Sequence, residues 1–498
     1  MRKKFYLTTP LYYVNAPAHI GHSYTTVAAD SVARFMRQVL GEKNVWLLTG
    51  TDEHGQKIQR AAQSAGLSPQ VFVDKVVVEF KDLWDKLNIS YNDFIRTSEN
   101  RHIQTVQRVL EILYEKKEIY LAKYHGWYCT PCETFWTEAQ LEDLNCPDCK
   151  RPVEKISEEN YFFKLKDHQS WLIKYIEEHP NFVRPQIRRN EVLSFLKLNT
   201  LSDLCVSRPK ERLDWGIPIT FSPHHVTYVW FDALINYISA VGSFDKEGKY
   251  QSQWWPADLH LIGKDILRQH AIYWPIMLHA LDIEPPETIF AHGWWMIGES
   301  KMSKSRGNVV SPIEMINKFG IDAYRYFLLR DVPFGMDGNF SEEAVIKRIN
   351  SDLANDLGNL VYRTLTMIEK YFQGSSPKVN RPFKSKEALI IQEKINSLQS
   401  KIAALLSAGQ DYNFSSALES IWELINMANK YIEDTKPWNL LKENKAEELK
   451  EFIAVLVEVI KNTGYAIMPF MPQTAKSIQE QIGSDKIKKG KPLFPRIE

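Results

Sequence analysis

Short apolar runs alternate with longer stretches of helical spacing through the first part of the chain. Lys4–Thr9 reads as a strand, and the loop PLYYVNAPAHIG leaves it. Tyr24, Val27, Ala28, Val32, Phe35, Met36 and Val39 then recur at spacings of three and four, which predicts an amphipathic helix. Val45–Leu48 is a second strand ending in GTDEHG, and Phe94–Thr97 is a third candidate after further helices. Strands separated by helices predict a parallel, doubly wound α/β sheet. Such sheets bind ligands beyond the carboxyl ends of their strands.

This rhythm breaks near residue 116, where an aromatic-rich stretch containing cysteines begins and runs to about 225. We read 116–225 as an insertion. The rhythm resumes with apolar Tyr228–Ile238, then Asp258–Ile262 leading into GKD and Thr288–Ala291 leading into HGWW. A polar, lysine-bearing loop, ESKMSKSRGN, follows. Further on, Val345, Ile349, Leu353, Leu357, Leu360, Val361, Leu365, Ile368 and Phe372 keep helical spacing, and QGSSPKVNRP separates them from more helices. No repeat of fixed period is visible. The expected architecture is a parallel sheet split into 1–115 and 226–293, the insertion, a loop region at 294–350 and a C-terminal α-helical bundle at 351–498.

Composition narrows this picture without naming a partner. The 498 residues are 44% hydrophobic, enough for a large core and about three domains. Formal net charge is +1, so any nucleic-acid surface must be a local patch. The basic start passes at once into a strand, and no signal or transit peptide is evident. The apolar run Phe452–Ile460 is broken by Glu458 and too short for a bilayer, so no membrane association is expected. Five cysteines in so long a chain do not make a disulfide scaffold. A cytoplasmic protein is the expectation.

Three motifs carry chemistry. AHIGH puts His19, Gly21 and His22 between a strand and an amphipathic helix. A helix N-terminus suits phosphate, and two imidazoles there can donate to phosphoryl oxygens. Two ordinary loop histidines are the bland alternative. Lys301 and Lys304 in the polar loop read either as a solvated surface or as cations that close over a charged substrate. Cys129-Thr-Pro-Cys132 and Cys146-Pro-Asp-Cys149 form two CxxC knuckles, thirteen residues apart, whose four thiolates can surround one tetrahedral Zn2+. Four cysteines leave no open position, so such a zinc is structural.

AHIGH followed far downstream by KMSKS is the signature pair of the class I aminoacyl-tRNA synthetases. YYVNAPAHIGHSYT, TGTDEHG, YVWFDALINY, LIGKDILRQHAIYWP and KPWNLL together resemble the methionyl-tRNA synthetases, in order and across essentially the whole chain. The resemblance implies a split Rossmann-like catalytic domain, a zinc-bearing connective insertion, a stem-contact region around KMSKS and a helical anticodon-binding domain. The implied activity joins methionine and ATP into an adenylate, then transfers methionine to the terminal adenosine of tRNA(Met). A carboxylate nucleophile has no proton to lose, so catalysis is positioning and charge stabilisation. Lys301 and Lys304 would close over the triphosphate from one side, with His19 and His22 on the other, and Mg2+ would accompany ATP. A mobile loop suits a site that must open to release product.

The same resemblance implies a methionine pocket of Leu11, Tyr13, Asp52, Trp230, Ala233, Leu234, Tyr237, Ile266, His270 and Trp274. Asp52 would hold the ammonium, Tyr13 and Trp274 would wrap the side chain, and Tyr237 and His270 would approach the sulfur. Leu234 stands where some members carry proline. Taken singly, each aromatic is more readily a core residue. Gly263 and Asp265 look like a ribose-binding turn. Arg208 matches a position near the homocysteine-rejecting chemistry, with a plain surface arginine as the alternative. Asn359, Arg363, Pro437 and Trp438 would contact the CAU anticodon, Trp438 by stacking, and Asn355 shares the helical face of Asn359 and Arg363. Cys205 has no assigned role. A monomer is expected.

Other class I synthetases are the nearest rivals. Those for leucine, valine and isoleucine usually carry a large editing insertion, for which there is no space. A cysteine enzyme would use an open metal site. An idle RNA-binding protein would not need His19, His22, Lys301 and Lys304. A small nucleotidylyltransferase would leave the helical C-terminal part unexplained.

Overall fold

Phe5–Thr8 (β1) pairs in parallel with Val45–Asp52 (β3) on one side and with Leu259–Gly263 (β6) on the other. The sheet has seven strands. Asp93–Arg96 (β4) extends it beyond β3, and Ile289–His292 (β7) then Val183–Arg184 (β5) extend it beyond β6. Tyr12–Tyr13 (β2) pairs with the carboxyl end of β3, Tyr13 opposite Asp52. Every one of these pairings is parallel, as the alternation of strands and helices predicts. The order places the carboxyl ends of β1 and β6 side by side at the point where the chain switches direction across the sheet.

The computed structural model describes residues 4–497 except 16, 131–133, 137, 139–140, 148, 298–299, 302–309, 378, 380–381, 484–485 and 488. The chain forms two units, one of Met1–Ala18, Leu40–Asp85 and Ser90–His292, the other of His19–Val39, Lys86–Ile89 and Gly293–Glu498. Among the described residues no helix is long and apolar enough to cross a membrane.

In the first unit, β3 runs further than its apolar letters. Thr49, Gly50 and Thr51 continue the strand to Asp52 although none is a large hydrophobe. Gly50 lies so close to β4 that an added Cβ would sit 1.9 Å from the carbonyl oxygen of Ile95. Polar Thr49 and Thr51 are fully buried here, and Thr9 donates to Thr49 at 2.8 Å. Within 116–225, Ile119–Cys129 and Glu154–Phe163 form a long antiparallel pair flanked by Thr134–Trp136 and Leu204–Cys205. The same segment also supplies β5 to the edge of the main sheet.

The second unit is helical. Helix α1 (Ile20–Leu40) begins at the isoleucine of AHIGH. Lys386–Leu405, Phe414–Thr435, Ala446–Ile467 and Pro472–Ile482 pack into a bundle. Arg325 ties the unit together. Its side chain is fully buried, and it donates to the Asp30 carboxylate at 2.7 Å and to the carbonyls of Leu87, Pro469 and Phe470 at 3.1, 3.1 and 2.8 Å. One guanidinium therefore fixes α1 to the end of the bundle. Its replacement by alanine would leave three buried carbonyls without this donor and Asp30 with Arg34 (2.8 Å) in place of two guanidinium partners, so Arg325→Ala is expected to cost about 3–5 kcal/mol, read as a fall in the denaturant midpoint.

Candidate functional site

In the first unit, the carboxyl end of the sheet gathers the residues expected to form the pocket. Leu11 and Tyr13 follow β1, Asp52 ends β3 and Gly263 ends β6. Trp230, Ala233 and Leu234 lie on a short helix, α2 (Val229–Leu234), and Tyr237 on the next turn, α3 (Asn236–Ser239). Apolar Tyr228–Ile238 is thus helical rather than a strand. His270 sits in a π-helical turn, Gln269–Tyr273, that runs into the helix carrying Trp274. Such widened turns often occur at functional sites.

Hydrogen bonds fix the proton positions in this wall. His270 Nδ1 donates to the Ile266 carbonyl at 2.9 Å, so Nε2 is the acceptor for the Tyr237 hydroxyl at 2.7 Å. The Tyr237 ring stacks on His260 at 4.1 Å and meets Trp274 at 5.8 Å. The Trp274 indole N–H donates to His260 Nε2 at 3.2 Å, so His260 carries its proton on Nδ1, 2.8 Å from the Thr8 hydroxyl. Trp274 and Tyr237 are almost wholly buried, and Leu11 and Ile266 pack against their cluster. Asp52 is 6% exposed.

The turn after Asp52 is clamped from several sides. The fully buried Glu53 carboxylate accepts from Arg96 at 2.7 and 3.0 Å and from Thr51 at 2.6 Å, and Ser98 also donates to it. The Trp215 indole donates to the Glu53 carbonyl at 2.6 Å, and the Tyr13 hydroxyl to the His54 carbonyl at 3.1 Å. His54 Nδ1 and His102 Nε2 donate to the two oxygens of Asp232 at 2.7 and 2.6 Å. Burial works to raise the Asp232 carboxyl, but the two imidazoles overcome it and hold it below the usual carboxylate range.

Glu53, His54, His102, Asp232 and His260 were not among the residues expected from sequence. One signal was present for Asp232: a charge inside the apolar run Val229–Ile235 must be buried, and a buried charge needs partners.

At the ribose-like turn, a Cβ on Gly263 would lie 2.6 Å from Asp265 Oδ1. Glycine there lets the exposed Asp265 carboxylate fold back over the strand end. Arg208 is not a surface arginine but is 2% exposed. It lies over the Tyr228 and Tyr128 rings at 4.3 and 5.1 Å, and donates to the Ser207 carbonyl at 2.6 Å and to Cys205 Sγ at 3.3 Å. Cys205 is thereby a buried acceptor for that guanidinium.

Cys129, Cys146 and Cys149 converge, with their sulfurs all within 4.8 Å of one another and no disulfide between them. A tetrahedral zinc with bonds of about 2.3 Å separates its sulfurs by about 3.8 Å, and Cys129 and Cys149 Sγ are 3.5 Å apart. The three thiols therefore fit a metal. Cys132 lies outside the described residues.

In the second unit, His19 precedes α1 and His22 lies in its first turn, their rings stacked at 3.9 Å. His22 Nδ1 accepts from the His19 N–H at 3.2 Å, and His19 Nδ1 accepts from the Gly21 N–H at 3.1 Å. In its neutral form each ring therefore carries its proton on Nε2. A Cβ on Gly21 would sit 2.9 Å from His19 Cε1, so this glycine makes room for the histidine itself. Lys301 lies in a two-residue strand paired with Trp295–Ile297. Lys304 falls outside the described residues.

Asn359 opens the helix Asn359–Phe372, with Arg363 one turn on. Pro437 is buried and Trp438 47% exposed in the short helix Pro437–Leu440. Both helices pack against Ala446–Ile467. Asn355 does not continue their face in register, because Ile349–Gly358 is π-helical. Its side-chain oxygen accepts from Arg496 of the C-terminal segment, and Lys489 of that segment lies 3.9 Å over the Tyr362 ring.

Comparison with known proteins identifies the family. The family of class I tRNA synthetases (M) matches residues 5–156 and 151–365, and the anticodon-binding domain of tRNA ligases matches 390–494. The methionine–tRNA ligases of Clostridium acetobutylicum and Caldanaerobacter subterraneus subsp. tengcongensis are 49% and 50% identical over all of this chain and 79% and 80% of theirs. Mycobacterium tuberculosis methionyl-tRNA synthetase in complex with methionyl-adenylate superposes with a TM-score of 0.93 at 36% identity. That match covers 99% of this chain and all of that one.

Burial drives the His270 imidazole down to about 4, although the Ile266 carbonyl opposes the shift. Unfolded, the same group takes its proton near 6.5. The stability tied to neutral His270 is thus complete above 6.5 and lost as pH falls through about 4. His270→Asn should flatten that part of the stability–pH curve, measured by denaturant unfolding at a series of pH values.

Proposed function

Because the chain belongs to the class I tRNA synthetases of the methionine type, we propose the following course for its reaction as a methionine–tRNA ligase. A methionine carboxylate oxygen attacks the α-phosphorus of ATP, the bond to the bridging β-oxygen breaks, and pyrophosphate leaves. A ribose hydroxyl of the terminal adenosine of tRNA(Met) then attacks the adenylate carbonyl, and AMP departs. What supports this reading most directly is the match of the whole chain, at a TM-score of 0.93, to a relative whose structure holds methionyl-adenylate.

Each residue has a physical part. Asp52 holds the substrate ammonium, and Leu11, Tyr13, Trp230, Ala233, Leu234, Ile266 and Trp274 enclose the apolar side chain. Tyr237 and His270 stand by the sulfur. Gly263 and Asp265 receive the ribose. The Nε2–H groups of His19 and His22 donate to phosphoryl oxygens, Gly21 leaves room for them, and Lys301 and Lys304 offset charge on the departing pyrophosphate, which Mg2+ accompanies. Asn359, Arg363, Pro437 and Trp438 receive the CAU anticodon. Cys129, Cys146 and Cys149, with Cys132, hold one zinc that braces the insertion. The same proposal takes the enzyme to act as a single chain in the cytoplasm.

The test is ATP–pyrophosphate exchange with each amino acid in turn, in magnesium and without tRNA. Exchange with methionine alone is expected, and exchange with another amino acid, or none, overturns the reading. For the metal, Cys146→Ser should lower zinc from about one per chain to a small fraction, by elemental analysis. Full retention would remove Cys146 from the ligand set.

A further inference from the structure

Asp232 does not belong to the pocket lining, yet it joins two parts of it. Its side chain is fully buried between Phe231 and Ala233, and each of its oxygens is met by an imidazole N–H. His54, on one oxygen, is two residues beyond Asp52, and its carbonyl accepts the Tyr13 hydroxyl. His102, on the other, passes the link through Nδ1 to the Ser239 hydroxyl at 2.8 Å, on α3 beyond Tyr237. Asp232 itself rides on α2 with Trp230, Ala233 and Leu234. A single carboxylate thus spans the turn that carries Asp52 and the helix that carries the apolar wall.

We propose that Asp232 is a positioning residue for the substrate amino acid, setting the distance between the ammonium-binding Asp52 side and the side-chain wall of α2 through His54 and His102. This rests on the methionine-pocket reading above. Two donors on one carboxylate leave it little freedom to rotate, so the two walls are held in one register before substrate arrives. A ligand that reaches both walls gains from that register. A ligand that touches only the apolar wall does not.

The comparison is therefore between methioninol, which keeps the ammonium and the thioether, and 4-(methylsulfanyl)butan-1-ol, which lacks the ammonium. Both are measured as inhibitors of methionine-dependent exchange. Asp232→Asn keeps the shape but cannot accept from both imidazoles. It is expected to weaken methioninol about tenfold and the ammonium-free analogue no more than about twofold, with the KM for ATP unchanged. Equal weakening of both ligands, or of neither, overturns the positioning role. If Asp232→Asn does not fold, His102→Gln and His102→Leu decide. The glutamine amide can still donate to Asp232 and should keep the wild-type ratio of affinities, whereas leucine should lower it, and identical ratios overturn the proposal. Asp52→Ala separates the two levels. If it leaves methioninol binding untouched, the pocket reading itself falls. If it weakens methioninol while Asp232→Asn does not, only the positioning role falls.

Discussion

An ionised carboxylate costs several kcal/mol to take out of water, and it stays in a protein interior only where donors replace the lost hydration. At the carboxyl end of this sheet that constraint acts on three consecutive residues of one turn. Asp52 is nearly buried, Glu53 is fully buried against Arg96, and His54 is committed to Asp232. Glu53 and His54 take their partners from different elements, and together those contacts fix the path of the turn. Moving any of them moves Asp52. The rest of the pocket is apolar and aromatic, contributing shape and burial but little direction. In the pocket proposed above, orientation of the substrate then rests on how the surrounding buried charges are satisfied.

The second unit meets the same constraint differently. Arg325 answers Asp30 and three backbone carbonyls with one planar group, so the charge closes a helix end as well as an ion pair. Arg208 is handled in a third way, between two tyrosine rings and with a thiol as one of its acceptors. An arginine can be buried like this because its charge is spread over a plane that stacks as well as it donates. A lysine in any of these places would lose most of those contacts.

How much was legible in the sequence follows from which signals are local. The strand of Val45–Leu48, the helix after AHIGH and the paired CxxC motifs each declare themselves within a few residues, and the structure has both elements and brings three of the four thiols together. The extension of β3 through Thr49–Asp52 was not legible, since its reason is the closeness of β4, a neighbour far away in sequence. Nor was the burial of Arg208, whose rings come from Tyr128 and Tyr228. The clamp on Asp232 draws its two imidazoles from positions 54 and 102. A charge in an apolar run announces that partners exist but not which ones.

The helix leading to Asn359 shows a different limit. Val345, Ile349, Leu353 and Leu357 repeat at steps of four, which suits an ordinary helix or a wider one, and the structure has Ile349–Gly358 as the wider form. A π-helical stretch behaves as an α-helix with inserted residues. It therefore sets the phase of everything after it. Deleting a single residue there, with the remaining turns keeping their width, would rotate the following face by about a quarter turn. Asn359 and Arg363 would then aim at a different quarter of their surroundings, although neither they nor their neighbours had changed. Chain length within this one stretch is itself a determinant of where the second unit points its polar groups.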